Sequence, residues 1–401
     1  MMVKPELLAP VGGADKLPFA LHFGADAVYL GGKNFGLRAF SDNFDETEMA
    51  AAINYAHSLG KKVYVTLNIF AKNADFGEMG EYVKKLETFG ADAAIISDAG
   101  VVDFVMKTAP KLDVHLSTQA NTTNKYAAAF WAKQGVKRIV LARELSLDEI
   151  KEIKDYIGDD AEIEVFVHGA MCISYSGRCL LSSYLTPRDS NRGECVQACR
   201  WDYEIREKGK DGFMTITEDG RGSYILNSKD LCTMPFLDKI IETGASSLKI
   251  EGRMKSAYYV GTAVRAYRKR IDDYLRNEPY DETLVAELEK ITHREYTSGF
   301  YLGEAEQCYE TSKPANDYRY CADVIGYDEE KGLLEIVQRN RFYEGDELET
   351  VSVTNAKKVK TTEIYDEKGN RVSDCKFVMQ RLFVKTDVKL EKFDMLRKKI
   401  N

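Results

Sequence analysis

Short apolar runs alternate with amphipathic stretches from residue 6 to about residue 277, a rhythm that predicts repeated βα units around a parallel sheet. The predicted strands are Leu7–Val11, Ala27–Leu30, Val63–Asn68, Ala93–Ser97, Val114–Ser117, Arg138–Ala142, Ile163–His168 and Leu248–Glu251. Eight such strands point to an α/β fold of the closed (β/α)8 TIM-like type. An open doubly wound sheet is the alternative, because spacing along a chain does not show closure. Several predicted helices end on a glycine just before the next strand, at Gly24, Gly60, Gly90, Gly135 and Gly244. This fits a repeated unit, since glycine takes the left-handed conformation that stops a helix.

The rhythm breaks after the seventh strand, from Gly169 to Thr243, and an insertion there lies on the carboxyl-end face where barrel enzymes place their chemistry. The expected domains are therefore a barrel over 1–280 with a Cys-rich insert at 169–243, a connector over 281–317, and a small C-terminal all-β domain over 318–401. The last rests on runs such as Leu333–Val337 and Arg381–Lys385, separated by Asp- and Gly-containing turns, and fits a small β-barrel or sandwich.

Composition narrows the class. A chain of 401 residues, 44% hydrophobic and 30% charged, can bury a sizeable core, which excludes disorder and a disulfide-stapled miniature. The N-terminus has no apolar core of signal-peptide length and no run approaches a membrane span, so a cytoplasmic protein without a membrane partner is expected. Net charge is -8, yet residues 351–401 hold 13 Lys plus Arg against 7 Asp plus Glu, so the tail is predicted to present a basic face. Lys357, Lys358, Lys360, Arg397, Lys398 and Lys399 are its candidates for phosphate contacts.

Five of the eight cysteines fall between Cys172 and Cys232. Thiolates are soft ligands that suit zinc or an iron–sulfur cluster. The six residues between Cys172 and Cys179 are too many for a zinc knuckle, which favours a cluster, while small buried hydrophobes are the bland reading of the same residues. Cys308, Cys321 and Cys375 stand alone and are expected in cores.

Polar groups at barrel-strand ends point into one shared site. The candidates are Asn68, Asp98, Gln119, Arg143, His168, Glu251 and Arg253. Period-two alternation places Glu164, Phe166 and His168 on one face of the seventh strand, and Lys249, Glu251 and Arg253 on one face of the eighth. Catalytic roles are expected for His168, Glu251 and Glu164, with His168 suited to relay protons near neutral pH or, equally, to sit as a structural histidine.

The run from Glu164 to Ser182, with Phe166, Gly169, Cys172, Tyr175-Ser176-Gly177, Cys179 and Ser182, resembles the signature of the collagenase-like peptidase family U-32. The openings Glu6-Leu7-Leu8-Ala9-Pro10 and Gly24-Ala25-Asp26-Ala27-Val28-Tyr29 and the β tail are similar to the same family, so the resemblance covers nearly the whole chain. It implies a prephenate-dependent tRNA hydroxylase that places a hydroxyl on carbon 5 of the wobble uridine, with relatives acting on ribosomal RNA or ubiquinone precursors. It also implies a [4Fe-4S] cluster held by Cys172, Cys179, Cys195 and Cys232, with Cys199 spare, and a paralogous partner chain. Prephenate is a dicarboxylate, for which Arg253, Lys249, Arg178 and Arg143 are the expected cations, with Asn68 and Gln119 as further substrate contacts. For tRNA the expected contacts are Arg188, Arg192, Arg200 and Trp201, with Tyr203. Two other readings stay open: a peptidase, although neither a His-Glu-x-x-His motif nor a Gly-x-Ser-x-Gly elbow occurs, and a non-catalytic iron–sulfur RNA-binding or assembly factor.

Overall fold

The structure, a computed structural model, describes residues 4–36, 42–172, 174–186, 188–201, 229–303, 315, 317–354 and 356–400. Its first half runs β1 (Glu6–Pro10), α1 (Leu17–His22), β2 (Ala27–Leu30), α2 (Glu46–Ser58), β3 (Lys62–Leu67), α3 (Phe76–Phe89), β4 (Ala93–Ile96), α4 (Ala99–Thr108), β5 (Asp113–Leu116), α5 (Lys125–Lys133), β6 (Arg138–Val140), α6 (Leu147–Ile157) and β7 (Glu162–Ala170). The insert contributes α7 (Leu181–Leu185) and β8 (Asp230–Cys232), after which come α8 (Leu237–Glu242), β9 (Ser247–Ile250), α9 (Ala257–Leu275), α10 (Thr283–Leu288) and β10 (Tyr296–Thr297). Strands β1 to β7 pair in parallel with their sequence neighbours, and β9 pairs in parallel with both β1 and β7, with Ser247 opposite Glu6 on one side and Glu164 on the other. The barrel is therefore closed, and the open-sheet alternative is excluded.

Alternation along the strands sorts the core into two layers. Leu7, Ala9, Val28, Leu30, Val63 and Val65 face the helices, whereas Leu8, Ala27, Tyr29, Tyr64, Ala93 and Ile95 fill the barrel. Helix ends follow local rules. Asp45 and Glu48 form a reciprocal capping box at the start of α2, and α3 stops at Gly90, whose φ of 83° is left-handed.

At the amino ends of the strands the barrel interior holds charges instead of branched aliphatics. Arg138 donates to Glu6 at 2.6 Å and lies 3.3 Å from Glu164, and Lys249 donates to Glu164 at 2.7 Å. Tyr64 and Ser247 also donate to Glu6, at 2.6 and 3.0 Å. Glu164 is fully buried. Buried charges persist only when paired and hydrogen-bonded, and here each one is.

Beyond the barrel rim, β7 continues and β8 pairs antiparallel with its end, His168 opposite Cys232 and Ala170 opposite Asp230. A bulge lies between Phe166 and His168 where β7 meets β9. The segment expected to connect the domains instead packs on the barrel through Leu284, Leu288, Ile291 and Tyr301.

The C-terminal domain is antiparallel all-β, with β11 (Tyr318–Asp328), β12 (Leu333–Gln338), β13 (Phe342–Tyr343), β14 (Glu347–Val351), β15 (Lys358–Lys360), β16 (Ile364–Asp366), β17 (Asp374–Cys375), β18 (Arg381–Lys385) and β19 (Met395–Lys399). Seven strands form one sheet in the order β15-β14-β19-β11-β12-β18-β16, and β13 pairs with β17. Cys321 and Cys375 lie in its core, as expected. Half of the candidate cations of the predicted basic face are paired. Lys358 pairs with Glu347, Lys398 with Asp346, and Arg397 is fully buried between Glu287 of the barrel and Glu349 of the tail.

Candidate active site

A cavity of about 240 Å³ opens at the carboxyl ends of the barrel strands, beneath the insert. Its walls include Asn68 from the end of β3, Gln119 after β5, Arg143 after β6, Phe166 of β7, Lys249 of β9, and Glu251, Arg253 and Lys255 just beyond β9. Lys249 and Glu251 follow the alternation of β9, and the turn that begins at Gly252 then brings Arg253, Met254 and Lys255 to the same space.

Each cation is held by named partners. Arg253 donates from Nη1 to Thr66 Oγ1 at 2.9 Å and from Nη2 to Asn43 Oδ1 at 2.7 Å. It passes so close to β2 that a Cβ on Gly31 would sit 2.3 Å from Nη2, and only glycine leaves that room. Arg143 donates to the carbonyl of Ala170 and to Ser176 Oγ, both at 2.9 Å, and lies over the ring of Phe166. Lys249 stands on Glu164 with its ammonium 4.4 Å from the centre of the Tyr29 ring. Lys255 donates to the carbonyl of Thr292 at 3.2 Å and rests over Tyr259. Among the described residues Glu251 is the one carboxylate lining the cavity, so four cations face one anion in a chain of net charge -8. Asn68 donates to Gln119 Oε1 at 2.7 Å, which fixes both amides.

The lining also contains sulfur. Cys172, Cys179, Cys195 and Cys199 all line the cavity. The Cys179 sulfur lies 3.5 Å from the amide of Leu181, and that of Cys195 lies 3.4 Å from the amide of Gln197 and 3.8 Å from Ser182 Oγ. Hydrogen-bond donors aimed at sulfur are what a ligating thiolate accepts. The turn between Cys195 and Cys199 places Gln197 at φ 57°, an uncommon conformation for a residue with a side chain, and brings both thiols to the same space. Among the described residues no group of three or more His, Cys, Asp or Glu side chains could hold a metal ion. In donor chemistry alone, four thiols lining one cavity are the soft ligands that a four-iron cluster takes.

Several expectations shift. Cys232 is not at the cavity. It is buried on β8 beside the Tyr267 hydroxyl, 3.9 Å away, and burial pushes its thiol up to about 11, whereas Cys199, expected to be the spare, lines the cavity. His168 is also absent from the cavity. The bulge after Phe166 breaks the alternation, and the imidazole packs outside the barrel among Tyr259, Tyr267 and Tyr296, where burial drives its pKa down to about 3. Glu164 lies beneath the cavity as the support of Lys249 and Arg138 and does not line it. Arg178 is exposed outside the cavity, and Asp98 caps α4 through the amide of Val101.

Of the residues assigned to RNA, Arg188 and Trp201 are exposed. Arg192 instead clamps the insert to the loop after β3, with both Nη atoms 3.0 Å from Asp75, and this contact holds the Asp75 carboxyl below its ordinary range. The side chain of Arg200, together with Tyr203 and Cys308, lies outside the described residues. Lys255 is the charged residue of the cavity wall that sequence reasoning left out, and Cys199, expected to be spare, lines the cavity as well.

The sequence profile of peptidase family U32 matches residues 12–311, and that of the U32 C-terminal domain matches residues 316–397. The chain belongs to peptidase family U32. This U32 chain is 40% identical over 402 residues to tRNA hydroxylation protein P1 of Bacillus subtilis (strain 168), covering 98% of this chain and 95% of the relative. It is 37% identical to tRNA hydroxylation protein P of Escherichia coli (strain K12), over 88% of this chain and 87% of the relative. It is 31% identical to a protein named collagenase from Porphyromonas gingivalis (strain ATCC BAA-308 / W83), over 86% and 85%. No described helix is long and apolar enough to cross a membrane.

Proposed function

We propose that this chain is a tRNA-modifying enzyme that hydroxylates carbon 5 of the wobble uridine, using prephenate as co-substrate and a [4Fe-4S] cluster held by Cys172, Cys179, Cys195 and Cys199. The coarser part, tRNA hydroxylation, rests on relatives of that name matched over nearly the whole chain. The observation that carries the finer part is one small cavity lined both by four thiols and by Arg143, Lys249, Arg253 and Lys255. Two carboxylates need fixed cations, and a guanidinium offers each a two-bonded fork. A cluster bound by the four thiolates supplies one-electron chemistry at the wall of the cavity.

The chain's own residues bind and orient. Arg253 and Lys249 anchor the dicarboxylate, Arg143 ties the start of the insert over the cavity, and the Asn68–Gln119 pair offers an amide edge to a pyrimidine. Glu251 is the group placed to accept a proton within the cavity. A cysteine-peptidase reading finds no support, because no histidine among the described residues lines the cavity to activate a thiol. The test is mass spectrometry of tRNA from a deletion strain complemented with this chain. Restored uridine hydroxylation that Arg253→Ala abolishes without loss of iron supports the proposal. Complementation without any change in the tRNA overturns it.

A further inference from the structure

The helix side of the barrel carries a contiguous aromatic patch. Tyr126 and Phe130 on α5 and Tyr156 on α6 are 68%, 55% and 53% exposed. Tyr126 and Phe130 stand one turn apart on the same face of α5, and the Tyr126 and Tyr156 rings meet edge-on with centres 5.6 Å apart. Lys125 spans the seam between the helices, its ammonium 5.6 and 5.5 Å from the centres of the two tyrosine rings and 2.6 Å from Glu152 of α6. At about 200 Å² per aromatic residue, these fractions leave about 350 Å² in solvent on one copy, whereas soluble surfaces scatter such side chains singly.

The two helices that bear the rings carry opposite charge. No carboxylate occurs from residue 114 to residue 143, and α5 holds Lys125 and Lys133. Residues 144–160 hold seven carboxylates against two lysines, and six of the seven are exposed. Helical spacing sets these charges in matching rows. Tyr126, Phe130 and Lys133 lie at i, i+4 and i+7 on one face of α5, and Asp148, Glu152 and Asp155 lie at the same spacing on α6, where all three are exposed. A fitting partner is apolar at its centre, negative over α5 and positive over α6. The same surface turned over meets that description. A two-fold axis running between the helices lays α5 of one copy on α6 of the other, rings against rings and lysines against carboxylates. Size agrees as well, since a stable interface hides about 800 Å² per partner, of which the rings supply just under half and the charged rows form the rim. A polyanion such as RNA is repelled by the row on α6.

We infer that the α5–α6 face joins two copies of this chain into a symmetric dimer, with Tyr126, Phe130 and Tyr156 at the centre of the contact. The inference stands apart from the tRNA reading, because none of these side chains lines the cavity.

The test is sedimentation of the full-length holoenzyme across the micromolar range, where the wild type is expected to be a dimer. Phe130→Glu is expected to weaken self-association by about thirtyfold or more, as loss of a central ring does, with iron per chain and the urea midpoint unchanged. Charge exchange tests the symmetry without touching the rings. Lys133→Glu, and separately Asp148→Lys combined with Asp155→Lys, are each expected to weaken dimerisation at least about tenfold. An equimolar mixture of these two variants is expected to recover it as heterodimers, because each reversed row then meets its opposite. Exposed ion pairs contribute little to folding, so the charge variants keep the fold even where Phe130→Glu does not. A wild type that is monomeric throughout the range, a dimer that Phe130→Glu leaves intact, or a mixture that shows no recovery overturns the inference. Loss of tRNA binding in Phe130→Glu from a monomeric wild type would show that the face meets nucleic acid instead.

Discussion

Replacing Glu164 by Gln separates a supporting role for this carboxylate from a catalytic one. Glu164 is fully buried, 2.7 Å from Lys249 and 3.3 Å from Arg138. At an effective dielectric constant of about 20, a pair at the shorter distance attracts by about 6 kcal/mol, much of it offset by the cost of taking both ions out of water. Breaking such a pair from one side costs about 3–5 kcal/mol, because the remaining charge is stranded. Which charge is stranded can be read from the network. Arg138 keeps Glu6 and Glu162, whereas Lys249 loses the carboxylate on which it stands. Conversely, Lys249→Met leaves Glu164 with Arg138. The expected order is therefore Glu164→Gln markedly less stable than Lys249→Met, with the double variant recovered to near the Lys249→Met level. Urea unfolding followed by tryptophan fluorescence reads this in the barrel domain, since both tryptophans, Trp131 and Trp201, belong to it. An unchanged urea midpoint in Glu164→Gln, with activity abolished, would refute the supporting role and return Glu164 to the chemistry.

Two further predictions follow from the same side chains. Burial holds the His168 pKa at about 3, below its unfolded value near 6.5, so the unfolded chain takes up a proton that the native state refuses as pH falls below about 6.5. His168 therefore costs about 1.4 kcal/mol of stability per pH unit across the window from about 6.5 down to 3, and His168→Phe is expected to unfold less steeply with acid, whereas parallel profiles would contradict this. Gly31→Ala would set a methyl 2.3 Å from Arg253 Nη2 and 2.8 Å from Thr66 Oγ1. It is expected to raise the KM for prephenate at least about tenfold by dislodging the guanidinium, with iron content retained, and an unaltered KM would show that Arg253 does not hold the co-substrate.

The sequence made the barrel legible because strand positions depend on local alternation: all eight strands were placed within two residues at both ends, and only β6 and β7 differed by more than one, at their carboxyl ends. Closure was not legible, since it depends on β9 meeting β1 and β7 from far along the chain. The site was readable where periodicity persisted, as from Lys249 to Glu251, and misread where a bulge interrupted it. One irregularity between Phe166 and His168 moved the imidazole from the barrel mouth to the helix side. The place of Cys232 away from the cavity was not legible for a similar reason, because the facing of a short strand is set by its pairing with β7 and not by cysteine spacing. The tail's excess of cations was real in composition, yet carboxylates such as Glu347, Asp346 and Glu287 absorb Lys358, Lys398 and Arg397 in three dimensions.

The central claim is that the cavity walled by four thiols and four cations hydroxylates tRNA with prephenate. It is tested most directly by oxygen incorporation into unmodified tRNA, followed by mass spectrometry with anaerobically purified wild-type, Cys199→Ser and Cys232→Ser proteins, each with and without prephenate. The account predicts one added oxygen on uridine with wild-type and Cys232→Ser only when prephenate is present, and loss of both iron and product in Cys199→Ser. Hydroxylation independent of prephenate, or full iron and activity in Cys199→Ser, would contradict it.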